Sequence, residues 1–134
     1  MEFGTSLAIS ASGISAQSAR LRVIAENLAN ANSTGQTPGS NPYRRQTITF
    51  QDAYNQKLNA DLVTVANIGT DSSSFPTKYD PSNPAANAQG YVKLPNVNSF
   101  VELMDMQQAE RSYDANLSVM NATRGMLTRT LGLI

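Results

Sequence analysis

The chain carries 134 residues, 40% of them hydrophobic, with ten Lys and Arg set against ten Asp and Glu; that supplies one modest core rather than two. A neutral balance argues against nucleic acid or an anionic membrane surface as partner, since each needs an excess of Lys and Arg. Histidine and cysteine are absent, which excludes Cys/His zinc sites, thiol chemistry and Ser-His-Asp catalysis, and leaves no disulfide.

Glu2 stands where a cleavable signal peptide needs positive charge, so that export route is not expected. No stretch approaches the roughly 18 to 20 apolar residues of a membrane span, so direct membrane insertion is not expected either. All six prolines lie between Pro38 and Pro95, which leaves both ends of the chain free of the strongest helix breaker.

The chain reads as three parts forming one structural domain: an N-terminal helix region (1–35), an extended and β-containing linker region with a Pro-rich arm (36–98), and a C-terminal helix (99–134). In the first, Leu7, Ile14, Leu21 and Leu28 recur every seven residues, with Ala11, Ser18 and Ala25 small beside them. This predicts an amphipathic helix starting near Thr5 or Ser6 and ending at the Asn30 to Gly35 turn residues. Gly13 costs that helix about 1 kcal/mol relative to Ala, which close approach of a neighbouring helix would explain.

In the middle, Thr47-Ile48-Thr49-Phe50, Leu62-Val63-Thr64-Val65 and Gly90 to Leu94 have the β-branched and apolar character of short strands. Phe75 to Val97, with four prolines, reads as an extended arm rich in turns. The pair Arg44-Arg45 is expected in a solvated turn or an interface ion pair rather than on phosphate.

In the last part, positions 103, 106, 110, 113, 117, 120, 124, 127, 131 and 134 step by three and four, giving a helix from about Ser99 to the chain end. Ser99 followed by Glu102 fits a capping box. Glu110 and Arg124 interrupt the apolar stripe and are expected to set register by pairing with another chain or with the N-terminal helix. The expected fold class is therefore mainly α: long N- and C-terminal coiled-coil-like helices bracketing a short β/extended, Pro-rich middle segment.

No catalytic constellation, metal site or cofactor site is expected. Asp105 and Glu110 lie five apart on a helix and point in different directions, and Asp80, Asn83, Glu102 and Asp105 do not supply the ligand number calcium needs. The two apolar stripes exceed what the Pro- and Asn-rich middle can cover, which points to oligomerisation or polymerisation. The residues expected to carry subunit contact are Leu7, Ile14, Leu21, Leu28, Leu103, Met106, Tyr113, Leu117, Met120, Leu127 and Leu131. A soluble helical-hairpin chaperone or adaptor of a secretion system is the alternative.

The stretch from Ile14 to Thr34, with its Asn27-Leu28-Ala29-Asn30 core, resembles the N-terminal signature of the bacterial flagellar rod, hook and hook-associated proteins. Tyr79 to Asn98 and Arg111 to Leu117, together with the short length, resemble the proximal-rod members of that family. The resemblance implies a structural, non-enzymatic subunit of the flagellar basal body that polymerises into a helical tube through its terminal helices. It implies localisation in the rod across the periplasm and passage through the flagellar type III export apparatus without a cleaved signal peptide. The partners it implies are copies of the chain itself, other rod proteins including distal-rod subunits, and an adaptor near the MS-ring and export gate.

Overall fold

The computed structural model describes residues 3–132. In chain order these form helix α1 (Phe3–Ala29), strands β1 (Gln46–Asn55) and β2 (Ala60–Thr70), short strands β3 (Thr77–Tyr79) and β4 (Tyr91–Lys93), and helix α2 (Ser99–Leu131). The helices run 27 and 33 residues, close to the expected bounds; the stripe position Ile134 lies outside the described residues.

The mainly α expectation is corrected. Helix takes up 46% and strand 21% of the described residues, the strands lying in two small antiparallel sheets, so two helices flank a β-containing middle. The cause is local. Four-residue strand signals at Thr47–Phe50 and Leu62–Val65 grow into strands of 10 and 11 residues, because the tip between them is well specified. There Asn55 Oδ1 accepts the Lys57 and Leu58 amides at 3.0 and 3.2 Å, and Asn59 adopts φ 47°, a left-handed conformation that Asn tolerates.

The chain divides into two compact units. The first joins α1 up to Arg22, residues Ile48–Asn67 of the β1–β2 hairpin, and α2 from Met106 onward. Here the helices meet through small and polar side chains: Ser6 and Thr123 share a hydrogen bond at 3.4 Å. A Cβ at Gly13 would lie 2.8 Å from the Asn116 amide nitrogen. Ala16 and Ala109 are buried, as close helix approach requires. Ser12 Oγ donates to the Ile9 carbonyl and accepts the Val63 amide at 3.2 Å, so α1 holds one backbone amide of β2.

The second unit joins residues Val23–Thr47 and Ile68–Asp105. Val23, Ile24, Ala85 and Val92 are its buried apolar side chains. β3 and β4 pair antiparallel with Tyr79 opposite Tyr91, their rings 5.3 Å apart and 67° to one another. Gly90 makes the turn into β4 with φ 84°, and a Cβ there would meet the Tyr79 ring at 2.8 Å, so glycine is required on both counts. The Pro-rich arm folds on its own chain: the Gly39 amide donates to the Ala85 carbonyl at 3.1 Å, and the Leu94 amide to the Pro76 carbonyl at 2.7 Å.

The start of α2 differs in detail from expectation. Asn98 rather than Ser99 is the cap, its Oδ1 accepting the Phe100 and Val101 amides at 3.1 and 3.3 Å. Glu102 does not reach back to the helix start; its carboxylate turns inward.

Candidate functional site: a polar clasp and the faces of α2

Glu102 and Asn27 are each 1% exposed, and a carboxylate so placed needs partners for both oxygens. The Arg45 Nε donates to Oε1 at 2.5 Å, and the Asn27 Nδ2 donates to Oε2 at 3.2 Å. Asn27 in turn uses its full hydrogen-bonding capacity. Its Nδ2 also donates to the Gln46 carbonyl at 2.9 Å, while its Oδ1 accepts the Gln46 amide at 2.8 Å and the Tyr43 hydroxyl at 2.9 Å. One side chain of α1 thus holds both backbone groups at the start of β1 and the carboxylate of α2.

Arg45 is the hub of the surrounding shell. Its guanidinium also lies 3.7 Å from Asp71 and 3.9 Å from Asp105, and its amide donates to Asn96 Oδ1 at 2.8 Å. Asn96 Nδ2 reaches the Asp71 carbonyl at 3.1 Å and Ser73 Oγ at 2.9 Å. Hydrogen bonds from the Ser73 amide and hydroxyl, with Arg45 and Arg44 nearby, hold the Asp71 carboxyl below the usual carboxylate range. Burial, then the charges of Glu26 and Glu102, push the Tyr43 hydroxyl above its ordinary value. Arg44 donates to the Asp71 and Ser73 carbonyls at 2.8 and 3.0 Å and stacks over Phe75 at 4.2 Å. Both arginines therefore tie the chain to itself, and Arg45 makes the ion pair.

Chemically this cluster is a clasp. Both oxygens of its buried carboxylate are engaged, and among the described residues no group of three or more Asp and Glu is arranged to hold a metal ion. None of the described helices is long and apolar enough to cross a membrane.

The residues expected to carry subunit contact divide into two sets. Leu7, Ile14, Leu21, Leu28, Met106, Tyr113, Met120 and Leu127 are half-buried, whereas Leu103, Leu117 and Leu131 are exposed. The reason is angular. On α2 the inward positions Glu102, Ala109, Asn116 and Thr123 recur every seven residues; Leu103, Glu110, Leu117 and Arg124 each follow by one, and a step of one turns a side chain by about 100°. Glu110 and Arg124 are likewise exposed. Met106, Tyr113, Met120 and Leu127 each follow an inward position by four and stay beside it. Further exposed apolar side chains on α2 are Phe100, Val101, Met104, Val119 and Met126.

Asn27, Tyr43, Asn96 and the inward carboxylate of Glu102 escaped the sequence reading. Asn27 lies inside the Asn-Leu-Ala-Asn core that carries the family resemblance, which was the available signal.

The class of protein is shown by comparison of the sequence with known families. The family model for flagella basal body rod proteins matches residues 7–35, and that for the C-terminal part of flagellar basal body rod FlgEFG proteins matches residues 88–133. The class is that of flagellar basal-body rod proteins. Within it, flagellar basal-body rod protein FlgC of Agrobacterium fabrum is 48% identical over 126 residues, covering 94% of this chain and 91% of that one. The FlgC proteins of Bacillus subtilis and Salmonella typhimurium are 39% and 42% identical, covering 94% and 93% of this chain and 94% and 92% of their own lengths. The chain belongs to the FlgC family, whose members are structural subunits of the basal-body rod in the bacterial flagellum. The helical-hairpin chaperone has no counterpart among these relatives.

Proposed function

We propose that the chain is a subunit of the proximal part of the rod and polymerises into a helical tube through the outward faces of its terminal helices. The observation that carries this is the distribution of exposed apolar surface. Of the 14 exposed large hydrophobic side chains among the described residues, eight lie on α2, and that much apolar surface on one helix is costly to leave in water. The clasp fixes the start of β1 and the first turns of α2, so the exposed apolar side chains there are presented by a preorganised element.

In this reading Leu103, Leu117 and Leu131 enter subunit contacts outright. Leu7, Ile14, Leu21, Leu28, Met106, Tyr113, Met120 and Leu127 contribute the half-buried flanks. Partners are copies of the chain, other rod proteins including distal-rod subunits, and the adaptor joining the rod to the MS-ring and export gate. Family membership supports export through the flagellar type III apparatus without a cleaved signal, and a chain free of cysteine suits that route.

Cryo-electron microscopy of basal bodies purified from the source cell tests the reading. The expected result is density for this chain in the proximal rod with α1 and α2 along the axis; intact rods that lack the chain would overturn it.

A further inference from the structure

We infer that Tyr79 and Tyr91 form a modification site: a pair of phenols that a one-electron oxidant couples into a dityrosine, sealing β3 to β4 covalently. The inference is independent of the rod reading. The two residues stand directly opposite one another in the antiparallel register, and such pairs point to the same face of a sheet with Cβ atoms about 4.5 to 5.5 Å apart. Their rings are already in contact, 5.3 Å between centroids and at 67°. Both stay open to an oxidant in solution, Tyr79 being 62% and Tyr91 47% exposed.

The neighbours of the pair hold it in this arrangement. A Cβ at Gly90 would lie 2.8 Å from Tyr79 Cε2. One of the two ring carbons ortho to the Tyr79 hydroxyl is therefore laid against the residue that precedes Tyr91, where only glycine leaves room for it. The Asp80 amide donates to the Gly90 carbonyl at 2.9 Å, and the Leu94 amide to the Pro76 carbonyl at 2.7 Å, so backbone bonds fix the strand pairing at both ends. Val92 is buried and anchors β4 on the face opposite the tyrosines.

The chemistry closes within the pair. Each phenol loses one electron and its hydroxyl proton, which leaves a radical with spin on the ring carbons ortho to oxygen. One ortho carbon of each ring joins the other in a new carbon-carbon bond. The hydrogens on those two carbons then leave as protons while each oxygen regains one, and both rings are aromatic phenols again. Two electrons and two protons depart in all; a peroxidase haem passes them to hydrogen peroxide, giving two waters. Because the two rings are held in contact, coupling within the chain outpaces coupling between dilute chains. The new bond closes Tyr79 to Tyr91 into a covalent ring.

Trypsin reads the product directly. No Lys or Arg lies between Lys78 and Lys93, so digestion releases Tyr79 to Lys93 as one peptide that holds both phenols. The purified full-length chain, kept dilute, is photo-oxidised with ruthenium trisbipyridine and persulfate, which takes the two electrons and becomes two sulfates. The expected product is this peptide at single-peptide mass less two hydrogens, with dityrosine fluorescence. Tyr79→Phe and Tyr91→Phe keep the rings but not the hydroxyls, and each should abolish the product. Oxidation in concentrated urea, which separates the strands, should lower its yield severalfold.

An unchanged Tyr79 to Lys93 peptide in a digest where other tyrosines are oxidised would overturn the inference. So would two copies of the peptide joined between chains in place of the lighter single one, or a yield in urea equal to that in buffer.

Discussion

Asn27 on α1 donates to Glu102 on α2 at 3.2 Å, and both side chains are 1% exposed. The pair works because Arg45 neutralises the carboxylate and Gln46 returns both of its backbone groups to Asn27. Glu102→Gln keeps the shape but removes the charge opposite Arg45. Arg45 retains 25% side-chain exposure and can turn toward water, so the expected loss is modest, roughly 1 to 2 kcal/mol. Glu102→Ala also strands the Asn27 amide and should cost roughly 2 to 4 kcal/mol. Urea unfolding followed by circular dichroism checks the order; equal midpoints for the unmodified chain and both variants would remove the clasp as a source of stability.

Gly13 and Asn116 give a second test. An added Cβ would lie 2.8 to 2.9 Å from three atoms of the Asn116 side chain, too close to tolerate without movement. Alanine should gain about 1 kcal/mol of helix propensity at that position. The two effects oppose, so Gly13→Ala alone should be near neutral or destabilising. In an Asn116→Ala background the obstruction is gone, and the same change should stabilise by about 1 kcal/mol. A double-mutant cycle on thermal melts reads the coupling directly; additivity would mean that the helices do not meet at Gly13.

These two contacts also show where the sequence was legible. Helix lengths followed from proline placement and from three-four periodicity, and Gly13 was readable as a close approach because a mid-helix glycine has a known cost. The inward line of α2 was not readable. It runs Glu102, Ala109, Asn116, Thr123, small or polar at every step, whereas hydrophobic periodicity selects Leu103, Leu117 and Leu131 one or more residues away. Glu102 looked like a capping residue because its partners, Arg45 and Asn27, lie 57 and 75 positions distant. The first two strands were placed correctly but read too short, since a tip specified by Asn55 and Asn59 extends pairing beyond the β-branched clusters, whereas β4 is shorter than the Gly90 to Leu94 reading and β3 was read only as extended arm. That extension is what moves the fold from mainly α to helices around a β-containing middle.

Tyr43 makes the clasp sensitive to alkali. Its hydroxyl donates to Asn27 at 2.9 Å, and burial, Glu26 and Glu102 raise its pKa above the ordinary 10.0. Because the folded value exceeds the unfolded one, this group's contribution is fully present below about pH 10 and is lost as pH rises through the folded value. Tyr43→Phe should lower stability at pH 7 by about 1 kcal/mol through the missing hydrogen bond. It should also flatten the decline above pH 10. Urea midpoints measured from pH 7 to pH 11.5 check both signs; a decline of equal steepness in the variant would assign it to other groups.

Folding and assembly load different residues of the same helix, and paired substitutions should separate them. Ala109 is 0% exposed on the inward line, where Ala109→Leu overpacks a tight approach at a cost of typically 1 to 3 kcal/mol. Leu117 is 37% exposed, so Leu117→Asp leaves the charge in water in the free chain and should change the melt little. Buried between subunits the same carboxylate has no partner, and incorporation should fail. Ala109→Leu should therefore lower the melting midpoint and the amount of chain recovered, whereas Leu117→Asp should keep both and abolish motility. Normal swimming with Leu117→Asp in place would take this flank of α2 out of the subunit contact, and a large loss of folding stability in that variant would move Leu117 from the assembly surface to the chain's own core.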